Sequence, residues 1–227
     1  MLINKFKTFL KVIRAAISPK IFCISSQRTG TTSVGQFFNN HNYRVATYGI
    51  SKKKKWTLKW FKGEYGNIFS SWTFKLHQVF EDDPWWCTDF YKVLFHRFPS
   101  SKFVLVTRNA DDWFNSMVKH SSGKTLGITH IHANIYQRME EFYKLNLEKS
   151  NSYTSKVDNL MELDESHRKH YTGLYELRIL EIKRFFELFG KDRIVIVKLE
   201  DSQKWQKIGA FFNIEVATDY EVHANKS

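Results

Sequence analysis

Two rhythms of apolar residues alternate along this chain. One is the short unbroken run, seen in Ile21 to Ile24, in Phe103 to Thr107 (FVLVT) and in Arg193 to Leu199 (RIVIVKL). Such runs suit strands covered on both faces. The other is apolar spacing of three and four, seen in Val34, Phe37 and Phe38 and in Phe90, Val93, Leu94 and Phe98. It predicts helices over 34–40, 89–98, 113–120, 171–189 and 205–212. In the 171–189 helix, Leu174, Leu177, Leu180, Ile182, Phe185, Phe186 and Phe189 are expected to form one broad buried face that Gly190 ends. Tyr43 to Ala46, after a turn at His41-Asn42-Tyr43, reads as a short further strand. Strands alternating with helices imply an α/β fold, a three-layer sandwich around a central parallel sheet with right-handed crossovers. No repeat or linker interrupts it, so a single domain over 1–227 is expected.

Other stretches are less regular. Residues 1–20 carry Lys5, Lys7, Lys11, Arg14 and Lys20 among apolar residues and predict an amphipathic lead helix. No run there approaches the roughly 18 residues of a membrane span, and charges break any signal-peptide core. The helix is expected to pack on the domain, with peripheral contact to a membrane surface as the alternative. A cytoplasmic location follows as the expectation. Residues 121–166 read as a helical insertion, with Tyr136 to Leu147 as one helix, suited to a lid. Glu81-Asp82-Asp83 precede Pro84; three adjacent carboxylates are not expected to be buried together, so they predict a loop or helix start. Lys52 to Lys55 read as a solvated loop, or as a rim drawing in an acidic substrate with Trp56 and Trp60 offering flat faces. His130, His132, His167 and His170 lack cysteine partners and read as surface histidines.

Composition narrows the class. The chain has 227 residues, 42% hydrophobic and 26% charged, with 10 Gly and 3 Pro, so it has room for a full core. Cys23 and Cys87, the two cysteines, fit neither a metal motif nor a disulfide framework, and Cys23 reads as core. A net charge of +12 attracts anions. A nucleotide, an acidic glycan, nucleic acid and an anionic membrane fit that charge equally.

The first strand leads into Ser25 to Ser33, small and hydroxyl-bearing residues around Gly30, and then into a helix. Close backbone amides and a helix N-terminus favour an anion, most often phosphate. A nucleoside-triphosphate loop needs G-x-x-x-x-G-K-[ST]. Ser25 replaces its first glycine and Thr31 its lysine, which disfavours ordinary ATP or GTP hydrolysis. Arg28 is the cation of the loop. Arg28-Thr29-Gly30-Thr31-Thr32-Ser33 instead resembles the 5′-phosphosulfate loop of sulfotransferases that use 3′-phosphoadenosine 5′-phosphosulfate (PAPS).

A second motif strengthens the resemblance. In that family a strand ends in Arg and a Ser follows eight residues later on the next helix, and both hold the nucleotide 3′-phosphate. Lys102 to Arg108, followed by Ser116, matches. Arg offers a planar bidentate grip on phosphate; the alternative for Arg108 is an ion pair with Asp111 or Asp112. Trp113, Phe90-Tyr91-Lys92 with Phe98-Pro99, Arg193 to Asp201 and the closing His223-Ala224-Asn225 also look like the small bacterial-type branch of the family.

The resemblance implies a sulfotransferase with PAPS as co-substrate, no metal, and a hydroxyl or amine acceptor. Arg28 and the 29–33 amides would hold the 5′ end. The family's base, often His or a carboxylate, lies about two dozen residues before the phosphate-gripping Arg. Asp83 is the first choice, with Asp82 and Asp89 behind it and His77 outside. The acceptor is expected to be a small molecule or glycan, acidic ones included, with no nucleic-acid partner. Two rivals stand beside this reading: a P-loop kinase or hydrolase with an altered loop, and a non-enzymatic polyanion- or RNA-binding module.

Overall fold

The computed structural model describes residues 12, 15–121, 130–145 and 163–224. The chain forms two compact units, Met1–Thr107 with Phe186–Ser227, and Arg108–Phe185. Most of the lead helix lies outside the described residues; residues 15–17 are helical.

The first unit is built on a five-stranded parallel sheet: β1 (Ile21–Cys23), β2 (Val45–Ala46), β3 (Val79–Phe80), β4 (Lys102–Thr107) and β5 (Ile194–Lys198). Their order is β2-β3-β1-β4-β5. β1 pairs with β3 on one side, Ile21 against Val79, and with β4 on the other, Cys23 against Val104. The fold is therefore α/β, as the alternating pattern predicts, with β1 at the centre. The connection after β1 runs to β2 on one side and the connection after the adjacent β4 runs to β5 on the other, so the loop after β1 lies at a switch point, where open α/β sheets bind ligands.

Period-two alternation divides the sheet residues between two cores. On one face Ile21, Cys23, Val79, Val104, Val106 and Val197 pack with Val34, Phe37 and Phe38 of α1 (Thr31–Asn40) and with Trp205 and Ile208 of α11 (Lys204–Phe212). The other face is aromatic. Phe22 lies 5.2 Å from Phe80, 5.5 Å from Trp85 and 5.8 Å from Phe103 between ring centroids, and Phe103 lies 4.9 Å from Phe186. Each fully buried ring of this kind contributes roughly 2–3 kcal/mol.

Between β2 and β4 the chain makes five helices: α2 (Tyr48–Lys54), α3 (Trp56–Phe61), α4 (Tyr65–Phe69), α5 (Trp72–Lys75) and α6 (Phe90–Arg97). Here the sequence reading needs correction. Lys52 to Lys54 are exposed, but on a helix and not in a loop. Trp56 and Trp60 are buried, so they are core and offer no open face to a sugar. The lysines stay in water while the rings behind them drop into the aromatic core, where Trp56 meets Trp85 edge-on at 5.4 Å.

Two basic side chains fasten these pieces. Lys20 Nζ donates to the carbonyls of Ala15, Lys75 and His77 at 2.8, 2.8 and 2.7 Å. Burial pulls its pKa down to about 8. Arg193 donates to the carbonyls of Phe95, Phe98 and Ser101 and to Ser101 Oγ, and stacks 3.7 Å above the Phe95 ring.

The second unit contains α7 (Ala110–Ser121), α8 (His130–Ile135), α9 (Met139–Leu145) and the start of α10 (Arg168–Phe189). Helix is present inside the 121–166 segment; residues 122–129 and 146–162 lie outside the description, so the lid expectation rests partly there. The broad apolar face expected of α10 is buried only in part, at Ile182 and Phe186. Tyr171, Tyr175, Ile182 and Phe186 are buried, while Leu177, Leu180 and Phe189 are exposed. Tyrosines at these positions carry the packing that leucine counting assigns to the opposite side. Among the histidines expected at the surface, His132 is half-buried.

Candidate active site

The loop after β1 is shaped by its smallest side chains. Ser25 is buried, and its Oγ accepts from Val106 N–H at 2.7 Å, tying the loop's first residue to β4. A glycine here, as the triphosphate motif requires, removes that tie. Thr29 is also buried and donates to the Ser26 carbonyl at 2.7 Å, bracing the turn from inside. Arg28 and Gly30 both have positive φ, 64° and 89°. Such alternation turns successive N–H groups toward a common concavity. Gly30 is needed twice over: a Cβ there is strained by the backbone and meets Leu199 Cδ1 at 2.8 Å.

α1 begins directly after Gly30. Its first internal bond runs from Val34 N–H to the Gly30 carbonyl at 3.1 Å. The amides of Thr31, Thr32 and Ser33 are thus first-turn donors of the kind a helix leaves for a ligand or water. The Arg28 side chain is half-buried, Thr31 is buried and Thr32 is exposed. Ser33 Oγ accepts from Ala224 N–H at 3.1 Å, which brings the C-terminal segment to the first turn of this helix.

The carboxylates after β3 depart most from expectation. Glu81 is 2% exposed and Asp83 5%, so two of the three adjacent acids are buried, with Asp82 half-buried. The acids escape the penalty of burying charge because they stay protonated more readily. Burial, then the Asp82 charge, pushes the Asp83 carboxyl up to about 7; the Gln27 and Trp86 side chains pull the other way. Glu81 is pushed up to about 8, again mainly by burial. Its carboxylate lies 2.8 Å from where a Cβ on Gly35 would stand, so Gly35 makes room for it against α1. Asp82 has φ 62°, and its Oδ1 accepts from Asp83 N–H at 2.8 Å.

One contact joins these two features. The Gln27 side chain, in the loop after β1, hydrogen-bonds to the Asp83 carboxyl. Asp83 Oδ1 is buried with no hydrogen-bond partner among the described residues. Tyr48, at the start of α2, lies close enough to feel both Asp83 and Asp82, which with burial raise its own pKa. A carboxyl that titrates near neutrality and keeps one oxygen unengaged suits proton transfer.

The other candidates for a base sit differently. Asp89 is exposed and ion-paired to Lys92 at 3.1 Å. His77 is buried, its Nδ1 is 2.6 Å from the Thr73 carbonyl, and burial lowers its pKa.

The second unit opens with Arg108. Its N–H donates to Tyr175 Oη at 2.9 Å, and the Tyr175 ring stacks on Trp113 at 4.5 Å. Asn109 caps α7 by accepting from Asp111 and Asp112 N–H at 3.0 and 3.2 Å. Asp111, one of the two acids offered as alternative partners for Arg108, pairs with Arg168 at 3.1 Å. Arg108 and Ser116 are both half-buried.

Sequence reasoning missed Gln27, Tyr48 and the burial of Glu81. The small Gly35 was the available hint for Glu81; nothing in the sequence marked Gln27 or Tyr48. Among the described residues no cluster of His, Cys, Asp and Glu is arranged to hold a metal, and no helix is long and apolar enough to cross a membrane.

A sulfotransferase from Alicyclobacillus acidocaldarius, of known crystal structure, aligns over 91% of this chain and 87% of its own, at 15% identity and a TM-score of 0.44. No curated protein matches. The sulfotransferase domain family matches residues 20–227, a span that includes the β1 loop, the buried carboxyls and Arg108. By that match the chain belongs to the sulfotransferase domain family.

Proposed function

We propose that this sulfotransferase moves the sulfuryl group from PAPS to a hydroxyl or amine of its acceptor, with Asp83 taking the acceptor's proton. The reading is carried by one observation: a buried, near-neutral carboxyl hydrogen-bonded to the loop that precedes α1. In that scheme the acceptor atom attacks sulfur in line and bonds to it. The bond from sulfur to the bridging oxygen of the 5′-phosphate breaks, and its electron pair stays on the phosphate. Arg28 and the amides of Thr29 to Ser33 neutralise the charge growing there. Arg108 and Ser116 take the 3′-phosphate. Tyr48 flanks the acceptor beside Asp83, and the exposed Lys52, Lys53 and Lys54 on the same helix suit a small molecule or glycan that carries acidic groups.

Binding and turnover separate the roles. Adenosine 3′,5′-bisphosphate is expected to raise the melting temperature, and ATP with Mg²⁺ is not. Arg28→Ala and Arg108→Ala each weaken the bisphosphate. Asp83→Asn keeps bisphosphate affinity and loses about 10²–10⁴-fold in kcat with a competent acceptor. Unchanged bisphosphate binding in both arginine variants disproves the assignment. Tight Mg²⁺-dependent ATP binding favours the kinase reading instead.

A further inference from the structure

We propose that this chain pairs with a second copy of itself through the outer face of α10, in an antiparallel arrangement about a twofold axis near Leu180. On that helix Leu177 and Leu180 are 51% and 61% exposed, opposite the buried Tyr171, Tyr175 and Ile182. At about 100° per residue the two leucines and Gly173 share one stripe. A Cβ at Gly173 meets nothing within 4 Å, so a second backbone approaches freely there.

Charge decides the occupant. Glu176, Glu181 and Lys183 are exposed beside the stripe, and the exposed Arg184 follows on it one turn after Leu180. A face meant for a membrane surface is bordered by lysine and arginine alone, whereas this border mixes signs. The mixture is self-complementary. Antiparallel helices layer Leu177 of one copy on Leu180 of the other, and the twofold repeats the layer. The same register puts Glu176 of each copy across from Lys183 of the other, at flanking positions where antiparallel helices make ion pairs. Two leucine layers and two ion pairs make less than a standard interface, so the dimer is reversible and forms as concentration rises.

Sedimentation equilibrium of the full chain over a wide concentration range tests the pairing. The expected mass climbs from the 27.0 kDa of one chain toward twice that value. Leu180→Glu, at an exposed position, holds the protein at monomer mass with an unchanged circular dichroism melt. Lys183→Glu weakens self-association at least about tenfold, about 1.4 kcal/mol for the two symmetric ion pairs lost together. Glu176→Lys combined with Lys183→Glu restores it. A wild-type chain monomeric at every concentration overturns the proposal, as does dimerisation indifferent to Leu180→Glu or to the single charge reversal. Leu180-dependent flotation with phosphatidylcholine–phosphatidylserine vesicles, by a chain that stays monomeric, overturns it in favour of a membrane surface.

Discussion

Glu81 and Asp83 place two opposing demands on the same few atoms. Each has a folded pKa above its ordinary value, about 8 and about 7, so each stabilises the fold in its protonated form. Stability from such groups is complete below the unfolded pKa and is lost as pH climbs through the folded one. Melting temperature is therefore expected to fall between about pH 5 and pH 9, by an amount on the order of a few kcal/mol in unfolding free energy. Glu81→Gln removes the part of that fall that ends near pH 8, as calorimetry across the range will show. Activity runs the other way. A base must lose its proton, so on the role proposed for Asp83 kcat/KM is expected to rise through about pH 7, and Gln27→Ala to shift that limb upward by removing a donor to the ionised form. The protein works best where its own carboxyls have begun to loosen it.

At the scale of elements, the long ones were legible, and so was the two-residue β2 inside the strand expected at Tyr43 to Ala46, but most of the short ones after it were not. FVLVT and RIVIVKL announce β4 and β5 because buried central strands need continuous apolar residues. β3 is Val79–Phe80 between Gln78 and Glu81, too brief for alternation to register. The helices α2 to α5 span four to seven residues each, and tertiary packing of Trp56, Trp60 and Phe74, not periodicity, fixes them. The shape of the loop after β1 was readable because Gly30 and its hydroxyl neighbours are backbone requirements written in local sequence. The carboxylate turn was readable only as candidates, since its burial depends on Gly35 and on the β1 loop across a strand. Arg193 shows the same limit: it reads as the first residue of a strand, yet it holds the end of α6 and the turn at Ser101. Arg193→Ala is expected to cost about 3 kcal/mol or more, seen as a lower denaturant midpoint, because several buried carbonyls lose their donor together. Ser25→Ala costs about 1–3 kcal/mol by leaving the Val106 N–H without an acceptor.

For the whole molecule, 35 basic residues against 23 acidic ones set the approach of any phosphorylated ligand. Association of adenosine 3′,5′-bisphosphate is expected to slow by about tenfold between roughly 50 mM and 500 mM salt, with a smaller change in dissociation, as stopped-flow measurements will resolve. A salt response that survives Arg28→Ala in full marks general polyanion attraction instead. Charge at this scale selects the class of ligand; the choice among anions falls to the two arginines and the amides.

The position of β1 between β3 and β4 has an evolutionary consequence. The segment proposed to grip the donor and the segment proposed to supply the base leave neighbouring strands as separate pieces of chain, touching through Gln27. On the proposed roles, descendants that rewrite residues 81–87 keep the loop after β1 intact, because the two segments meet only after their strands end.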